Sequence, residues 1–528
     1  MKYTKLLFAF LIIVSHNTIF AQVKSTEADV TWAEEQKESR RSSLGEVIGR
    51  NKDGIYVSKA EYGLFSASSF TLEHYDDNMN LVKSHEHDLK KGKLKKFYAG
   101  SMMSGDQLYL FTSVKDKAKK KNYFYVQTVN MKTMRMNDDA KKMSTVDFEG
   151  SVALNSGGFD FELSKDKSKI LVINSFPYKR KQSAKYGLSV FDKNFNKLYS
   201  KNVKLSTSDK LFDVQDFRID NDGNVHVLGK LYFEKRKDTR KGEVNYQHQL
   251  LSYYDGLERA EKNTIRVKDK YLNNMQIAID KNGDYACGGF YSTNESDNVD
   301  GTFWLKLDGK TTEVISENYK EFDIDFITQN VKDRVKKKLE KKEKKGKSIE
   351  LYKYQLDDII FNDDGGAVLL GEQYYVIEQA ITDSNGRTRT TFVYHYRDII
   401  VVKISAMGKI EWAEKIPKRQ ISRNDGGFYS SYQLSIVKNK LYFIFNDNEK
   451  NITNEGDGKL KNFTGDKESL TVLVTMDHNG KQKKERLFNV REAEVIIRPK
   501  VGDQIGLREA IIFGQKKKKQ RIAKVTFK

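Results

Sequence analysis

The stretch Phe217-Arg218-Ile219-Asp220-Asn221-Asp222-Gly223-Asn224-Val225-His226-Val227-Leu228-Gly229 decides how the chain reads. An alternating apolar run enters a polar turn and leaves it as a second apolar run, which is the pattern of a β-hairpin. The same phrase returns at Ile277-Ala278-Ile279-Asp280-Lys281-Asn282-Gly283-Asp284-Tyr285-Ala286-Cys287-Gly288 and again from Ile359 through Asp363-Asp364-Gly365 to Gly371. A second hairpin phrase alternates with the first. Val190-Phe191-Asp192-Lys193-Asn194-Phe195-Asn196-Lys197-Leu198 matches Glu73–Leu81, Lys403–Ile410 and Val474–Lys481. Two hairpins make a four-stranded unit. Turns of the first kind fall near Asp53, Asp106, Asp166, Asp222, Asn282, Asp364, Asn439 and Asp503, so units recur at intervals of roughly 50–80 residues, against ~40–50 for ordinary propeller repeats.

Repeated four-stranded units of this kind resemble the β-propeller superfamily. The resemblance covers about residues 29–528 and rests on strand pattern, without a sharp subfamily motif. The hallmark repeats of WD, kelch, Asp-box sialidase and quinone propellers are not evident, and Trp32, Trp304 and Trp412 are the only tryptophans. What the resemblance implies is an all-β chain forming a single seven- or eight-bladed propeller, eight favoured, over residues 22–528. The last unit, from about Val495 to Phe527, has three strands. Val30-Thr31-Trp32-Ala33-Glu34-Glu35 resembles Ile410-Glu411-Trp412-Ala413-Glu414-Lys415, a fourth strand in its own unit. Residues 29–37 are therefore expected to complete the last blade and remove both open sheet edges. The rival fold is two β domains divided near residue 330.

The chain has 528 residues, with 28 Tyr and 30 Phe to build cores and 3 Pro, which excludes collagen and general disorder. A single cysteine, Cys287, excludes an intramolecular disulfide framework and any cysteine-clustered metal site. Lys2 and Lys5, the apolar stretch Leu6–Val14 and the small-residue end at Ala21 read as a secretory signal peptide over 1–21. An apolar stretch that short does not span a bilayer, and none after it is longer, so no transmembrane segment is expected in the mature chain. The expected location is outside the cytoplasm, in the periplasm first, with secretion or surface association as the alternative.

The net charge of +20 is concentrated in five basic runs. These are Lys115–Lys121, Lys179–Lys185, Lys235–Lys241, Lys332–Lys347 and Lys516–Arg521, and together they outweigh the whole chain, leaving the remainder acidic. All but one sit where a second strand turns into a third, and the run 332–347 joins two units. Such turns and joins share one face of a propeller, so Lys119, Lys120, Lys121, Lys179, Arg180, Lys181, Lys235, Arg236, Lys237, Arg240, Lys516 and Lys517 are the candidate binding residues. A face of one sign attracts anions with strong salt dependence. Lys is a flexible point charge, so sequence-specific nucleic-acid reading is disfavoured. An envelope protein, a component of an outer-membrane machine, or an anionic glycan or lipid fits better. The spacing of Ile327, Val331, Val335 and Leu339 predicts one short charged helix over 327–345 with an apolar stripe against the rim.

The chemical motifs are few. No nucleophile elbow, phosphate loop, dinucleotide fingerprint or zinc-binding His pair is present. His85 and His87 alternate on a strand without a third ligand and read as surface residues, Cys287 reads as a small core residue, and no metal or cofactor is expected. Asp147, Asp160, Asp213, Asp216, Asp357 and Asp358 gather just before first strands, where a propeller would line its channel. The reading is a non-enzymatic binding or scaffold protein. The alternative is a carbohydrate-active enzyme in which Asp213, Asp216, Asp357 and Asp358 supply a carboxylate pair about 5–10 Å apart.

Overall fold

The computed structural model describes residues 25–37, 42–62, 67–89, 94–148, 156–177, 182–235, 237, 239–240, 243–265, 270–280, 282–293, 298–311, 313–329, 333–345, 351–362, 364–382, 386–452, 460–465 and 468–528. The expected signal peptide lies outside them.

Among these residues, eight antiparallel sheets of four or more strands follow one another. The first sheet holds Ser42–Asn51, Gly54–Tyr62, Ala67–Tyr75 and Leu81–Asp88, each strand paired to the next. The second spans Lys95–Asp147, the third Gly158–Ser208, the fourth Phe212–Ile265 and the fifth Tyr271–Glu321. The sixth runs from Tyr354–Phe361 through two long strands, Ala367–Thr382 and Thr388–Ile404, to Ile410–Ile416, and the seventh spans Gln433–Asn489. In the last sheet Glu509–Lys516 and Lys519–Phe527 are flanked on one side by Ile496–Ile497 and Asp503–Gly506, and on the other by Ala28–Trp32 and Gln36–Lys37. The chain is all-β and propeller-like in this arrangement.

The turns show why the sequence punctuates as it does. Asp76, Asp192, Asp220, Asp280 and Asp477 each open a five-residue turn, and each carboxylate accepts one or two backbone N–H groups of the following four residues. In the fourth sheet the Asp220 carboxylate also takes the Asn224 side-chain amide at 2.7 Å. The penultimate turn residue has positive φ, which favours glycine. At Gly223 a Cβ would also meet the Tyr199 hydroxyl at 2.0 Å, so the position is closed twice over. Seven of the eight expected first turns lie where they were placed. Asp503 does not mark the eighth, because it lies within the strand Asp503–Gly506 and the turn is Leu507-Arg508.

Burial grades across each sheet. The second strands Val225–Tyr232 and Tyr285–Ser292 are almost wholly buried, whereas the fourth strands Leu81–Asp88, Arg259–Ile265 and Val314–Glu321 alternate and are largely exposed. The cores lie between neighbouring sheets. Tyr56 and Leu72 meet Leu108 and Val129, Phe111 and Phe124 meet Val172 and Phe191, and Leu188 and Val190 meet Val227 and Leu251. The succession continues with Leu250 against Ile277, Trp304 against Leu369, Leu370 against Phe443, and Tyr442 against Val525. Ile511, Phe513 and Ile522 of the last sheet then pack on Ile55 and Val57 of the first. Each such side chain taken fully from water contributes about 1.5–3 kcal/mol before chain entropy is set against it.

The N-terminal segment is held firmly. Ala28 to Trp32 pair with Phe527 to Ala523, the Ala33 N–H donates to the Ile522 carbonyl, and the Lys528 N–H donates to the Glu27 carbonyl. Trp32 packs edge-on to Phe488 with centroids 5.1 Å apart, and the Arg521 guanidinium lies over its ring at 4.8 Å. Trp412 occupies a fourth strand as well, donating its indole N–H to the His478 carbonyl.

The expected helix needs correction. There are two helices, Ile324–Thr328 and Asp333–Glu343, and residues 330–332 lie outside the description. The first starts earlier than expected because Asp323 caps it, its carboxylate accepting the Phe326 N–H at 2.8 Å. Ile327 is buried, but Val335 is 43% exposed, so the stripe does not continue onto the rim.

Candidate functional site

The first strands of the sheets meet one another on the inside. The Ile277 N–H donates to Asp216 Oδ2 at 3.1 Å, the Gln276 amide to the Asp357 carbonyl at 3.3 Å, and the Tyr432 hydroxyl to Asp357 Oδ2 at 2.6 Å. Between the seventh and last sheets, Gln504 bonds both the N–H and the carbonyl of Ile436. These inner strands carry bulges at matching places, between Leu44 and Glu46, Tyr98 and Gly100, Val214 and Asp216, Leu272 and Asn274, and Leu356 and Asp358. A bulge re-aims the next side chain. Glu46, Asp216 and Asp358 each stand directly after such a bulge.

Carboxylates therefore collect along the inner strands, and burial raises their pKa. Asp216 is held by its Arg218 partner at 2.6 Å and by the N–H groups of Phe217 and Ile277, yet burial outweighs these and its pKa lies above the usual value. Asp358 is raised by burial and opposed by the Ile359 N–H and the Arg218 charge. Glu162 is raised by burial, with Arg218 opposing and Asp216, Asp160 and Asp358 adding to it. Asp357, which occupies the bulge itself, is pushed up to about 7, first by desolvation and then by Glu372. Asp357 and Asp358 nonetheless keep contact with solvent, so it is dense surrounding protein and not full enclosure that desolvates them. Glu46 is raised by burial against hydrogen bonds from Tyr98 and Ser101.

Asp213 parts company with these. It accepts the Gln215 amide at 2.8 Å and lines a cleft of about 630 Å³ between the third and fourth sheets, with Asp160, Lys185 and Lys210 on its walls. A second cleft of about 440 Å³ adjoins it through Phe176, Lys185 and Asp209, and Asp147 is on its wall. The inner-strand carboxylates Glu46 and Glu162 were not singled out in the sequence, and Asp503 was read only as a turn marker. Their mark is a position on the first strand of a sheet, visible only once the pairing is known.

The basic turns are placed as the topology demands. In an antiparallel four-stranded sheet, the turn from second to third strand and the link to the next sheet leave at the same end. Lys119 and Lys120 are exposed there, as are Lys235, Lys237 and Lys517, while Lys516 is half-buried. Lys121 departs from the expectation of a free cation, since its ammonium pairs with Asp147 at 2.6 Å. Lys179, Arg180, Lys181 and Arg236 lie outside the described residues, as does the side chain of Arg240, whose backbone forms a short strand, Thr239–Arg240. His87 also departs from its reading as a surface residue. It is buried, stacks on Phe70 at 4.7 Å and bonds the Met134 carbonyl. Cys287 is buried, and burial pushes its thiol up to about 12. Among the described residues, no group of three or more His, Cys, Asp or Glu is arranged to hold a metal, and no helix is long and apolar enough to cross a membrane.

A buried polar network ties the sixth sheet to the seventh. Lys418, fully buried, donates to Glu372 and to Gln420 Oε1, and Glu372 also accepts the Ser431 hydroxyl at 2.8 Å. Gln420 in turn donates to the Asn446 carbonyl at 2.8 Å.

No family model matches the chain, and neither does any curated protein. Solved structures that align with it include the polysaccharide lyase Uly1, at 10% identity and a TM-score of 0.36 over 94% of this chain and 99% of that one. An oligogalacturonate lyase in complex with manganese aligns at 10% identity and a TM-score of 0.35, over 80% and 94%. The cobalt-substituted apocarotenoid oxygenase of Synechocystis aligns at 8% identity and a TM-score of 0.36, over 88% and 94%. Likenesses this remote carry no argument about what the chain does.

Proposed function

We propose that the chain is an eight-bladed β-propeller closed by its N-terminal strand, and that it works as a non-enzymatic binding or scaffold module presenting a basic loop face. The eight sheets, the cores between successive pairs, and the pairing of Ala28–Trp32 with the C-terminal strand support the closed ring. One observation carries the function. The exposed lysines sit at turns that share one end of their sheets, while Asp216 and Asp357, the carboxylates that a reaction would need, are engaged by Arg218 and Tyr432. The partner is an anionic or acidic surface of the cell envelope, with a component of an outer-membrane machine as the favoured setting, and the protein acts after export, in the periplasm.

The test is capture from solubilised envelopes at low and then high salt, with a variant carrying Lys119, Lys120, Lys235, Lys237, Lys516 and Lys517 as Glu. A stoichiometric partner retained by the native protein, released by salt and missed by the variant is the expected result. Equal retention by both proteins refutes the basic-face reading. A second reading, glycoside cleavage, draws on Asp357 alone, a carboxyl held partly protonated near neutral pH beside Asp358. It requires that Asp357→Asn abolish turnover of a glycan while the fold is kept.

A further inference from the structure

The long hairpin of the sixth sheet, Ala367–Thr382 with Thr388–Ile404, extends past the neighbouring strand and carries Gln420–Arg423 on its other side. Tyr375 lies opposite His395 in the register, and the two rings stack with centroids 4.4 Å apart and planes 12° from parallel. Tyr352, 46% exposed, meets Tyr375 edge-on at 4.7 Å. The Arg397 guanidinium lies over the same Tyr375 ring at 5.9 Å. Arg419 comes from the segment leading into Gln420–Arg423, and its charge and that of Arg397 both act on Tyr375 and His395.

Two features of this cluster are unusual. First, neither Arg397 nor Arg419 has an ion-pair partner among the described residues, and each guanidinium stands in the other's field, which with burial lowers the pKa of Arg419. The acidic neighbour whose charge Arg397 meets is Asp398, and that carboxylate accepts the Lys418 N–H at 3.2 Å. Second, His395 is only 9% exposed, and its Nδ1 has no hydrogen-bond partner; Arg397 Nε is likewise buried and unpartnered. A buried polar atom without a partner costs stability, and so do two like charges side by side. One group answers both, an oxyanion. Two planar guanidinium forks and an imidazole nitrogen offer donors in more directions than a flat carboxylate takes up, and they match a tetrahedral one.

We propose that Arg397, Arg419 and His395 form a binding site for a phosphate group carried by a ligand, with Tyr352 at its open edge. None of these residues belongs to the basic turns, so the site stands independently of the lysine face.

The probe is inorganic phosphate, titrated calorimetrically into the whole protein at constant ionic strength set with chloride. Glycerol 3-phosphate and vesicles containing phosphatidic acid serve as two further arms that separate a soluble phosphate ester from a lipid headgroup. One saturable site is expected, weakened roughly tenfold or more by Arg397→Gln or Arg419→Gln and unchanged by reversal of Lys119 and Lys120. Melting gives the second readout. In phosphate-free buffer of low ionic strength the Arg397→Gln protein melts no lower than the native one, because a repulsion has been removed, and phosphate raises the melting temperature of the native protein only. Arg419→Lys, which keeps the charge and loses the fork, covers the case in which a Gln variant fails to fold, and it too weakens binding. Absence of binding in all three arms, binding untouched by the arginine variants, or a melting shift reproduced by chloride overturns the proposal.

Discussion

Replacing Glu372 by Gln strands the Lys418 ammonium in a site from which solvent is excluded. Lys418 is fully buried and Glu372 is 4% exposed, so neither charge reaches water when the other is removed. Ser431 and Gln420 supply hydrogen bonds to the pair but no charge. Breaking a buried ion pair from one side costs about 3–5 kcal/mol, because the survivor keeps its desolvation penalty and loses its compensation. Glu372→Gln and Lys418→Met are each expected to cost that much. The double variant removes both charges and fills the space with groups of similar length, so it is expected to lie within about 1–2 kcal/mol of the native protein. Urea unfolding followed by tyrosine and tryptophan fluorescence, with far-UV circular dichroism as a second probe, measures all four proteins. Where refolding is incomplete, unfolding rates replace free energies and the same cycle applies. Single variants within about 1 kcal/mol of native, or a double variant that loses the sum of the two, would refute the claim that these charges answer chiefly to each other.

Other outcomes follow from the same geometry. Removal of residues 22–37 deletes the strand paired to Lys519–Phe527 and the Trp32 contact with Phe488, so the melting temperature falls sharply by differential scanning calorimetry; an unchanged value rejects closure. Asp357 keeps its proton to about pH 7 when folded, whereas the unfolded chain loses it near pH 4. Folding thus takes up a proton between those values, and the contribution of this group is full at acid pH and lost as pH rises through about 7. Stability measured from pH 5 to pH 8 should therefore fall less in Asp357→Asn than in the native protein, and parallel curves count against the shift. Gly223→Ala, which sets a Cβ against the Tyr199 hydroxyl at a positive φ, is expected to cost about 1–3 kcal/mol in urea unfolding, and a smaller loss would show that the turn relaxes.

What could be read in advance was whatever local chemistry dictates. Asp-Gly turns between alternating runs announced the hairpins because carboxylate caps and left-handed glycines act within five residues. The eighth turn was misplaced because its tip is Leu507-Arg508, with Leu507 91% exposed, and because the preceding strand is broken by the turn at Pro499–Val501. The helix start was legible in Asp323 and was passed over in favour of a four-residue stripe. The carboxylates Asp216 and Asp358 were expected just before first strands, whereas they lie within them, at the bulges. Arg218 is two residues from Asp216 on the same strand, but the approach of Glu162 and Asp358 from other sheets depends on a register that no single segment encodes. Arg397 lies in Thr388–Ile404 and Arg419 just before Gln420–Arg423, and the two meet only because those strands run side by side.

The pairing of Ala28–Trp32 with the C-terminal strand sets the order in which the protein can be made. The partner of the first strand is Lys519–Phe527, so until those residues have been made the N-terminal segment has nowhere native to go. The entropic toll of so long a loop is modest, since closing one ten times longer costs only about 2 kcal/mol more. Time is the larger consequence, because contacts between distant parts of a chain form slowly and leave strand edges open meanwhile. Whatever escorts this chain before Ala28–Trp32 meets Lys519–Phe527 must shield an unpaired first strand and the growing row of sheets, and release both together.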